Sequence, residues 1–211
     1  MRPLRIALTK GRLERKTVEL FDRMGLDTAA VKDKGRRLIL PLGEGIEVVL
    51  AKAADVITYV EHGVCDLGVV GKDTILEMGG SFYEVLDLGF GRCRFALAAP
   101  AGIPFFGGYA AKTVASKYPN VTAAYFAKKG MDVRIIKIEG SVELAPLLGL
   151  SDAIVDIVET GTTLKENGLQ IIEDVQPVSA RLIVNMACMK LRKREIESLI
   201  ARMEAFLKGE N

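Results

Sequence analysis

Residues 152–168 read Asp152-Ala-Ile-Val-Asp-Ile-Val-Glu-Thr-Gly-Thr-Thr-Leu-Lys-Glu-Asn-Gly168, and this is the most informative stretch of the chain. Its alternation places Ile154, Asp156 and Val158 on one face of a β-strand. A short turn at 160–163 then contains one glycine and three threonines and leads into a helical segment. A buried strand that passes through a tight turn into a helix is the building unit of an α/β protein.

The turn after this strand has the composition of a phosphate site. Gly161 lets a ligand approach the backbone closely, the threonines offer hydroxyl groups, and the opening helix adds N–H groups that carry roughly half a positive charge. Asp156 and Glu159 could accept bonds from ribose hydroxyls or hold a magnesium ion. The same residues also fit a plain strand-to-helix turn that is capped by Thr162 or Thr163, with Asp156 solvated.

The same order of strand, turn and helix repeats over most of the chain. It restarts near residues 92–100, which predicts two α/β lobes with a ligand cleft between them. Because the strands are continuous apolar runs, we expect mainly parallel sheets that are covered on both faces. Strands are predicted at 5–9, 38–42 and 47–51 (these two as a hairpin), 66–71, 94–99, 112–116, 133–138, 153–158 and 182–185. Helices are predicted at 13–24, 54–62, 72–78, 121–129, from 142 and at 195–207.

The composition is that of a globular protein and excludes several classes of function. The 211 residues carry a net charge of +2, so no strong field is available to attract nucleic acid or an anionic membrane. No apolar run approaches the roughly 20 residues of a membrane span, and the N-terminus has too short an apolar core for a signal peptide. Cys65, Cys93 and Cys188 lack the spacing of a disulfide framework or a zinc site. We therefore expect a reduced, cytoplasmic setting.

The single histidine, His62, limits the available chemistry. It precedes Gly63 at a predicted helix C-terminus, where an imidazole interacts favourably with the negative end of the helix. We favour this capping role over a catalytic one. Chemistry that depends on a histidine base or on several histidine metal ligands is therefore not expected.

Two basic turns lie beside predicted strands. The run Lys10-Gly-Arg12 opens a helix, where basic residues oppose the helix dipole and therefore call for an anion. The run Lys34-Gly-Arg-Arg37 and Lys52 could add positive charge to the same cleft. The alternative for each is an exposed loop whose side chains extend into solvent. Their shared placement at strand ends favours an anion-binding region.

Five motifs run in order along the chain: Lys10-Gly-Arg-Leu13, Ala54-Asp-Val-Ile-Thr-Tyr-Val-Glu-His-Gly63, Asp66-Leu-Gly-Val-Val-Gly-Lys-Asp73, Gly140-Ser-Val-Glu-Leu-Ala-Pro146 and Asp152 through Gly168. Together they closely resemble the ATP phosphoribosyltransferase family, which catalyses the first step of histidine biosynthesis. The resemblance covers about residues 5–185. The chain stops soon after its closing helix, as the short form of that family does.

The resemblance implies an α/β fold like that of the type II periplasmic binding proteins, with two lobes around a central cleft. The first lobe is expected to comprise residues 1–91 and 180–211, because the end of the chain returns to it, and to carry the basic turns. The second lobe is expected to comprise residues 92–179 and to carry the phosphoribosyl diphosphate loop.

The resemblance also implies the reaction and its residues. The 5-phosphoribosyl group of phosphoribosyl diphosphate is transferred to N1 of ATP, and diphosphate leaves with Mg²⁺ chelated by the substrates rather than by a protein metal site. Arg12 and Arg36 are the expected catalytic residues. Lys52 stands where arginine is more usual, so the charge is kept without a bidentate fork. The expected substrate-binding residues are Lys10, Gly11, Lys52, Asp156, Glu159, Thr160, Gly161, Thr162 and Thr163.

By the same resemblance, the chain is expected to form a homodimer alone and a hetero-oligomer with a regulatory subunit similar to histidyl-tRNA synthetase. Two other functions stay open at the level of the sequence. One is a non-catalytic, cleft-type protein that binds an anionic metabolite, because a fold does not fix a function. The other is a phosphoribosyltransferase that acts on a different base.

Overall fold

The computed structural model describes residues 2–108 and 110–209. They divide into two units, the first holding the chain up to Gly91 and again from Ser179 onward, and the second Arg92–Val178. The strands are β1 (Leu4–Thr9), β2 (Ile39–Gly43), β3 (Ile46–Ala51), β4 (Leu67–Gly71), β5 (Phe82–Asp87), β6 (Cys93–Pro100), β7 (Lys112–Ser116), β8 (Val133–Lys137), β9 (Ala153–Val158), β10 (Leu169–Val178) and β11 (Ala180–Asn185). The helices are α1 (Arg12–Arg23), α2 (Ala29–Lys32), α3 (Ala53–Glu61), α4 (Lys72–Met78), α5 (Pro119–Lys128), α6 (Leu144–Leu147), α7 (Thr162–Glu166), α8 (Met186–Leu191) and α9 (Lys193–Lys208).

The first unit is built on a mixed sheet in the order β2-β3-β1-β4-β11-β5. Strand β1 pairs in parallel with β3 and β4, whereas β2 runs antiparallel to β3. Strand β11 enters after the whole second unit and inserts antiparallel between β4 and β5. The end of the chain therefore completes the sheet that its beginning starts.

Helices cover both faces of this sheet, and strand alternation assigns side chains to each face. On β1, Ile6 and Leu8 belong to a core cluster that also contains Phe21 of α1 and buried residues of α9. Ala7 points to the opposite face and packs with Val60 of α3. Burial on both faces explains why these strands are continuous apolar runs.

The second unit is built on a separate sheet in the order β10-β6-β9-β7-β8. Strand β7 is parallel to β8 and β9, while β6 is antiparallel to β9 and β10. On one face, Ala96 and Ile154 pack with Leu164 of α7. Phe95 packs edge-to-face against Tyr118, with ring centroids 4.9 Å apart.

Strand direction is one point on which the sequence-based expectation is wrong. Mainly parallel sheets were expected, yet both sheets are mixed. A continuous apolar run reports burial on both faces, and it carries no information about the direction of the neighbouring strand. The predicted hairpin is confirmed: β2 and β3 are joined through Glu44 and Gly45, both with positive φ.

Within residues 2–108 and 110–209, no helix combines the length and the apolar composition needed to cross a membrane. The three cysteines all lie in the described part of the chain and form no disulfide. Burial raises the pKa of the Cys65 and Cys188 thiols to about 11 in each case. These two thiols are therefore protonated at neutral pH and are poor nucleophiles.

Candidate functional site

The residues predicted to form the site fall into two groups, one in each unit. The first unit carries the basic turns of Lys10, Arg12 and Arg36 together with Lys52. The second unit carries the end of β9 and the loop that follows it, with Asp156 and residues 159–163.

A cavity of about 530 Å³ lies in the first unit and brings several of the basic residues together. The turn before α1 forms one wall, and the loop between α2 and β2 forms another. Most of the polar lining is positively charged, which suits a phosphate-bearing ligand. The lining residues are Lys10, Gly11, Glu14, Arg15, Lys34, Gly35, Arg36, Arg37, Leu38 and Leu50.

The turn before α1 has a backbone that only glycine adopts readily. Gly11 has φ 99° and ψ −129°, a region that is strained for any residue with a Cβ. Its N–H donates to Oε2 of Glu14 at 3.2 Å, so the carboxylate satisfies one of the donors at the start of the helix. Glu14 is 6% exposed, and its second oxygen accepts from Nζ of Lys34.

The loop after α2 forms a tight turn that places Arg36 beside the cavity. The N–H of Arg37 donates to the carbonyl of Lys34 at 3.0 Å, and Gly35 takes a positive φ within the turn. The Arg37 guanidinium folds back onto the carbonyl of Asp33 at 2.7 Å. The Arg36 side chain is exposed and forms no hydrogen bond or ion pair with any residue that the structure describes.

Arg12 and Lys52 are close in sequence to residues that line the cavity, but neither of them lines it. Arg12 is the first residue of α1 and is exposed. Lys52 directly follows β3 and is also exposed. The N–H of Lys10 donates to the carbonyl of Ala51 at 2.9 Å, so Lys10 and Lys52 leave the sheet at the same edge.

In the second unit, the threonine turn has the local geometry that the sequence predicts. Gly161 has φ 84° and precedes α7, which begins at Thr162. The hydroxyls of Thr160 and Thr162 lie 3.0 Å apart. The loop is mostly exposed, and α7 has only five residues, so its dipole contributes weakly. The hydroxyl groups therefore supply much of the polar character of the turn.

Asp156 is a half-buried carboxylate of this unit. It lies on β9 opposite Ala96 of β6, two residues before the end of the strand. Burial raises the pKa of its carboxyl group, and the nearby negative charge of Glu143 acts in the same direction. Hydrogen bonds donated by a ligand would offset the desolvation of this carboxylate. The environment of Asp156 therefore favours a ligand that donates such bonds.

Sequence reasoning missed Glu14 as part of the site. Its position three residues after Gly11 is the spacing of a capping box, and that signal could have identified it. The lone histidine, in contrast, behaves as predicted. His62 is the C-cap of α3, and its Nδ1 lies 3.0 Å from the carbonyl of Thr58. Within the described residues, no three His, Cys, Asp or Glu side chains form a group suited to a metal ion.

Comparison with known proteins identifies the family. Residues 52–205 match the model of the HisG family, described as ATP phosphoribosyltransferase. An ATP phosphoribosyltransferase of Clostridium kluyveri is 59% identical over 204 residues, which is 96% of this chain and 93% of that protein. One of Clostridium acetobutylicum is 57% identical over 209 residues, covering 99% and 97% of the two chains.

Solved structures agree with this assignment and with the fold. The ATP phosphoribosyl transferase (HisG:HisZ) complex from Thermotoga maritima contains a chain that aligns with a TM-score of 0.84 at 34% identity, over 98% of this chain and 99% of that one. The periplasmic aliphatic sulphonate binding protein SsuA from Escherichia coli aligns with a TM-score of 0.61 at 12% identity, over 100% and 75% of the two chains. The second likeness shows that the fold is that of the type II periplasmic binding proteins, as expected. At the identities found over nearly its whole length, the chain belongs to the ATP phosphoribosyltransferase family, the enzymes of the first step of histidine biosynthesis.

Proposed function

We propose that the basic cavity of the first unit and the threonine turn of the second carry out the family's reaction. That reaction joins the 5-phosphoribosyl group of phosphoribosyl diphosphate to N1 of ATP and releases diphosphate. Adenine N1 attacks the anomeric carbon with its own lone pair and carries no proton that must be removed. A strong general base is therefore unnecessary, which agrees with the capping role of His62.

In this proposal, the basic cavity stabilises the diphosphate as it leaves. Negative charge builds up on the leaving group, so preorganised cations lower the barrier more than they strengthen ground-state binding. Arg12 and Arg36 act as the catalytic arginines, while Lys10, Gly11 and Lys52 bind the diphosphate. The observation that carries this assignment is the exposed Arg36 guanidinium, which has no partner among the described residues and stands beside the cavity that Lys10 also lines.

The threonine turn is proposed to hold the phosphoribosyl half of the substrate. Gly161 leaves room for the 5-phosphate next to the backbone, and Thr160, Thr162 and Thr163 donate from their hydroxyls. Asp156 and Glu159 accept from the ribose hydroxyls. The raised pKa of Asp156 supports this role, since ribose donors would stabilise its charged form.

Magnesium is proposed to arrive chelated by the substrate phosphates. Mg²⁺ keeps several waters and is usually held by one or two carboxylates together with phosphate oxygens, so a dedicated protein cage is not needed. The carboxylates of the proposed loop, Asp156 and Glu159, are oxygen donors of the type that Mg²⁺ prefers. When bound, the ion neutralises part of the charge on the leaving diphosphate.

We also propose the assembly and the setting of this chain. The Thermotoga maritima relative is a HisG:HisZ complex, which supports a HisZ-like regulatory subunit, similar to histidyl-tRNA synthetase, as a partner. Alone, the chain is proposed to form a homodimer. A cytoplasmic location is supported by three cysteines that form no disulfide in the described chain.

Diphosphate release tests the reaction against the two alternatives from the sequence. The purified chain is mixed with Mg²⁺, phosphoribosyl diphosphate and ATP, and each substrate is omitted in turn. Release that needs both substrates supports the proposal. Release with another nucleobase or nucleotide but not with ATP would indicate a different base. Binding of phosphoribosyl diphosphate without release under any condition would indicate a non-catalytic binding protein, which the 59% identity to an ATP phosphoribosyltransferase does not favour.

A further inference from the structure

An ion pair between a buried carboxylate and a partly exposed lysine joins the two basic segments that border the cavity. Glu14 lies on the first turn of α1, and its side chain is 8% exposed, whereas that of Lys34 is 37% exposed. One carboxylate oxygen accepts from Nζ of Lys34, and the other accepts from the N–H of Gly11. Glu14 thus holds both the turn before α1 and the loop after α2.

The same pair separates two cavities. Besides the 530 Å³ cavity, a second one of about 390 Å³ lies between α1 and α2. Glu14, Arg15 and Lys34 line both. These three residues form the wall between the two cavities. The position of that wall therefore sets the shape of the basic cavity on the side where Arg36 stands.

The position of Lys34 also governs that of Arg36. Lys34 is the first residue of the tight turn, its carbonyl accepts from the N–H of Arg37 at 3.0 Å, and Arg36 lies between them. The Arg36 guanidinium has no partner of its own in the described chain. Its placement depends on the turn backbone, and the turn is tied to α1 through Lys34 and Glu14.

We propose that Glu14 is a positioning residue for the reaction: through Lys34 it fixes the turn that presents Arg36 to the leaving diphosphate. This inference rests on the proposed function of the basic cavity. An ion pair with a buried carboxylate adds little net stability, because desolvation offsets much of its attraction. A misplacement of about 1 Å at a charged catalytic group, in contrast, costs up to about 10²-fold in rate. The pair therefore acts mainly on turnover.

The proposal is tested with a mutant cycle on kcat and on KM for phosphoribosyl diphosphate. K34M and E14A each lower kcat at least about tenfold, E14A by the larger factor because it also frees the N–H of Gly11. The double variant is no slower than E14A, because Lys34 acts through Glu14. In an R36A background, K34M has no further effect. E14Q, which keeps the size and one acceptor oxygen, recovers part of the loss and serves as the test if E14A does not fold.

A matched control lies on the same helix. The exposed pair Lys16–Glu19 has an N–O distance of 2.9 Å and does not touch the basic cavity, so E19A should leave kcat unchanged. Thermal melting of every variant separates lost folding from lost turnover. Additive effects of K34M and R36A on kcat would overturn the inference. If R36A itself changed neither kcat nor the calorimetric affinity for magnesium diphosphate, the proposed function of the cavity would fail instead.

Discussion

At the scale of single residues, two adjacent arginines use their guanidinium groups differently. Arg37 bonds to the carbonyls of Asp33 and Lys34 and so closes its own turn. Arg36, one residue earlier, bonds to no residue that the structure describes and lines the basic cavity. Arginine offers a planar set of donors that matches phosphate oxygens, so an unpaired guanidinium beside a basic cavity is suited to bind diphosphate.

The two arginines proposed as catalytic, Arg12 and Arg36, should affect turnover more than substrate binding. R12A and R36A should each lower kcat about 10²-fold, by analogy with the loss of one donor to a developing anion, with a smaller change in KM for phosphoribosyl diphosphate. Steady-state kinetics of diphosphate release measure both constants. R194A removes an exposed arginine on α9 and should behave like the unmodified enzyme. A raised KM with an intact kcat would show that the arginine serves only ground-state binding.

The glycine of the threonine turn should be essential for binding phosphoribosyl diphosphate. In G161V, a β-branched residue must adopt φ 84°, and its Cβ would lie 3.4 Å from Cδ1 of Ile171, so the turn has to shift away from the geometry that it offers to the 5-phosphate. Calorimetry should show no measurable affinity while circular dichroism shows a folded chain. G130V imposes a similar φ at the end of α5, where nothing lies within 4 Å of the added Cβ, and should keep the affinity. Unchanged affinity in G161V would remove this turn from the site.

At the scale of elements, the sequence pattern predicts what is regular and misses what is irregular. Strands β7 and β9 and helix α4 lie within a residue of their predicted bounds, because alternation and apolar runs are clear there. Strand β10 was missed because two register irregularities, near residues 171–173 and 174–176, interrupt its alternation. Strand β5 was missed because its residues are half-exposed or exposed, so neither face is marked by apolar side chains.

In the candidate site, too, some residues could be predicted from the sequence and others could not. Lys10, Gly11 and Arg36 were predicted from charge and glycine at strand ends, and they do border one cavity. Glu14 was missed because a pattern of basic residues draws attention to cations. Its capping-box spacing after Gly11 was the available sequence signal, whereas its burial is seen only in the structure. Local sequence gives the type of a group; the tertiary structure decides its partners.

Replacing Asp156, near the end of β9, with asparagine should raise the stability of the fold and lower the activity. Its folded pKa is raised by burial, so the neutral form is favoured, and this contribution to stability is lost as pH rises through the folded pKa. D156N should therefore melt at a higher temperature than the parent at pH 7, with an advantage that shrinks as pH falls through the folded pKa and is gone below about pH 4. Its kcat/KM for phosphoribosyl diphosphate should fall.

Melting curves across pH, together with kinetics, check this pair of changes. D132N replaces an exposed aspartate in the same unit and should alter neither quantity. A D156N protein that melts below its parent at pH 7 would show that the ionised carboxylate stabilises the fold, and the argument from burial would be wrong.

At the scale of the whole molecule, catalysis and feedback control are proposed to lie on different chains. The described residues form two units, and each unit consists of one sheet with its helices. The chain aligns over nearly the full length of a relative that is part of a HisG:HisZ complex. A ligand changes a rate only by distinguishing between states of the protein that binds it, so a sensor on another subunit must act through assembly.

The purified chain should therefore have a basal activity that does not respond to histidine. Adding a HisZ-like subunit should change kcat and make the enzyme sensitive to histidine, with an expected coupling of about 5–150-fold. A histidine titration of the diphosphate-release assay, with and without the partner, measures this. Saturable inhibition of the chain alone would place the sensor site within these 211 residues.

The late insertion of β11 has a consequence for how the chain matures on the ribosome. Strand β5 pairs with β11, and β4 keeps an open edge until β11 arrives, so the first sheet cannot close before residues 180–185 emerge. The second unit, in contrast, is one continuous segment that is complete at Val178. Nascent chains usually fold from their N-terminus. Here the middle of the polypeptide should become protease-resistant first. Nascent chains stalled soon after Val178 emerges should show resistant 92–178 fragments while the preceding residues are still cleaved, and simultaneous protection of both regions would contradict this order.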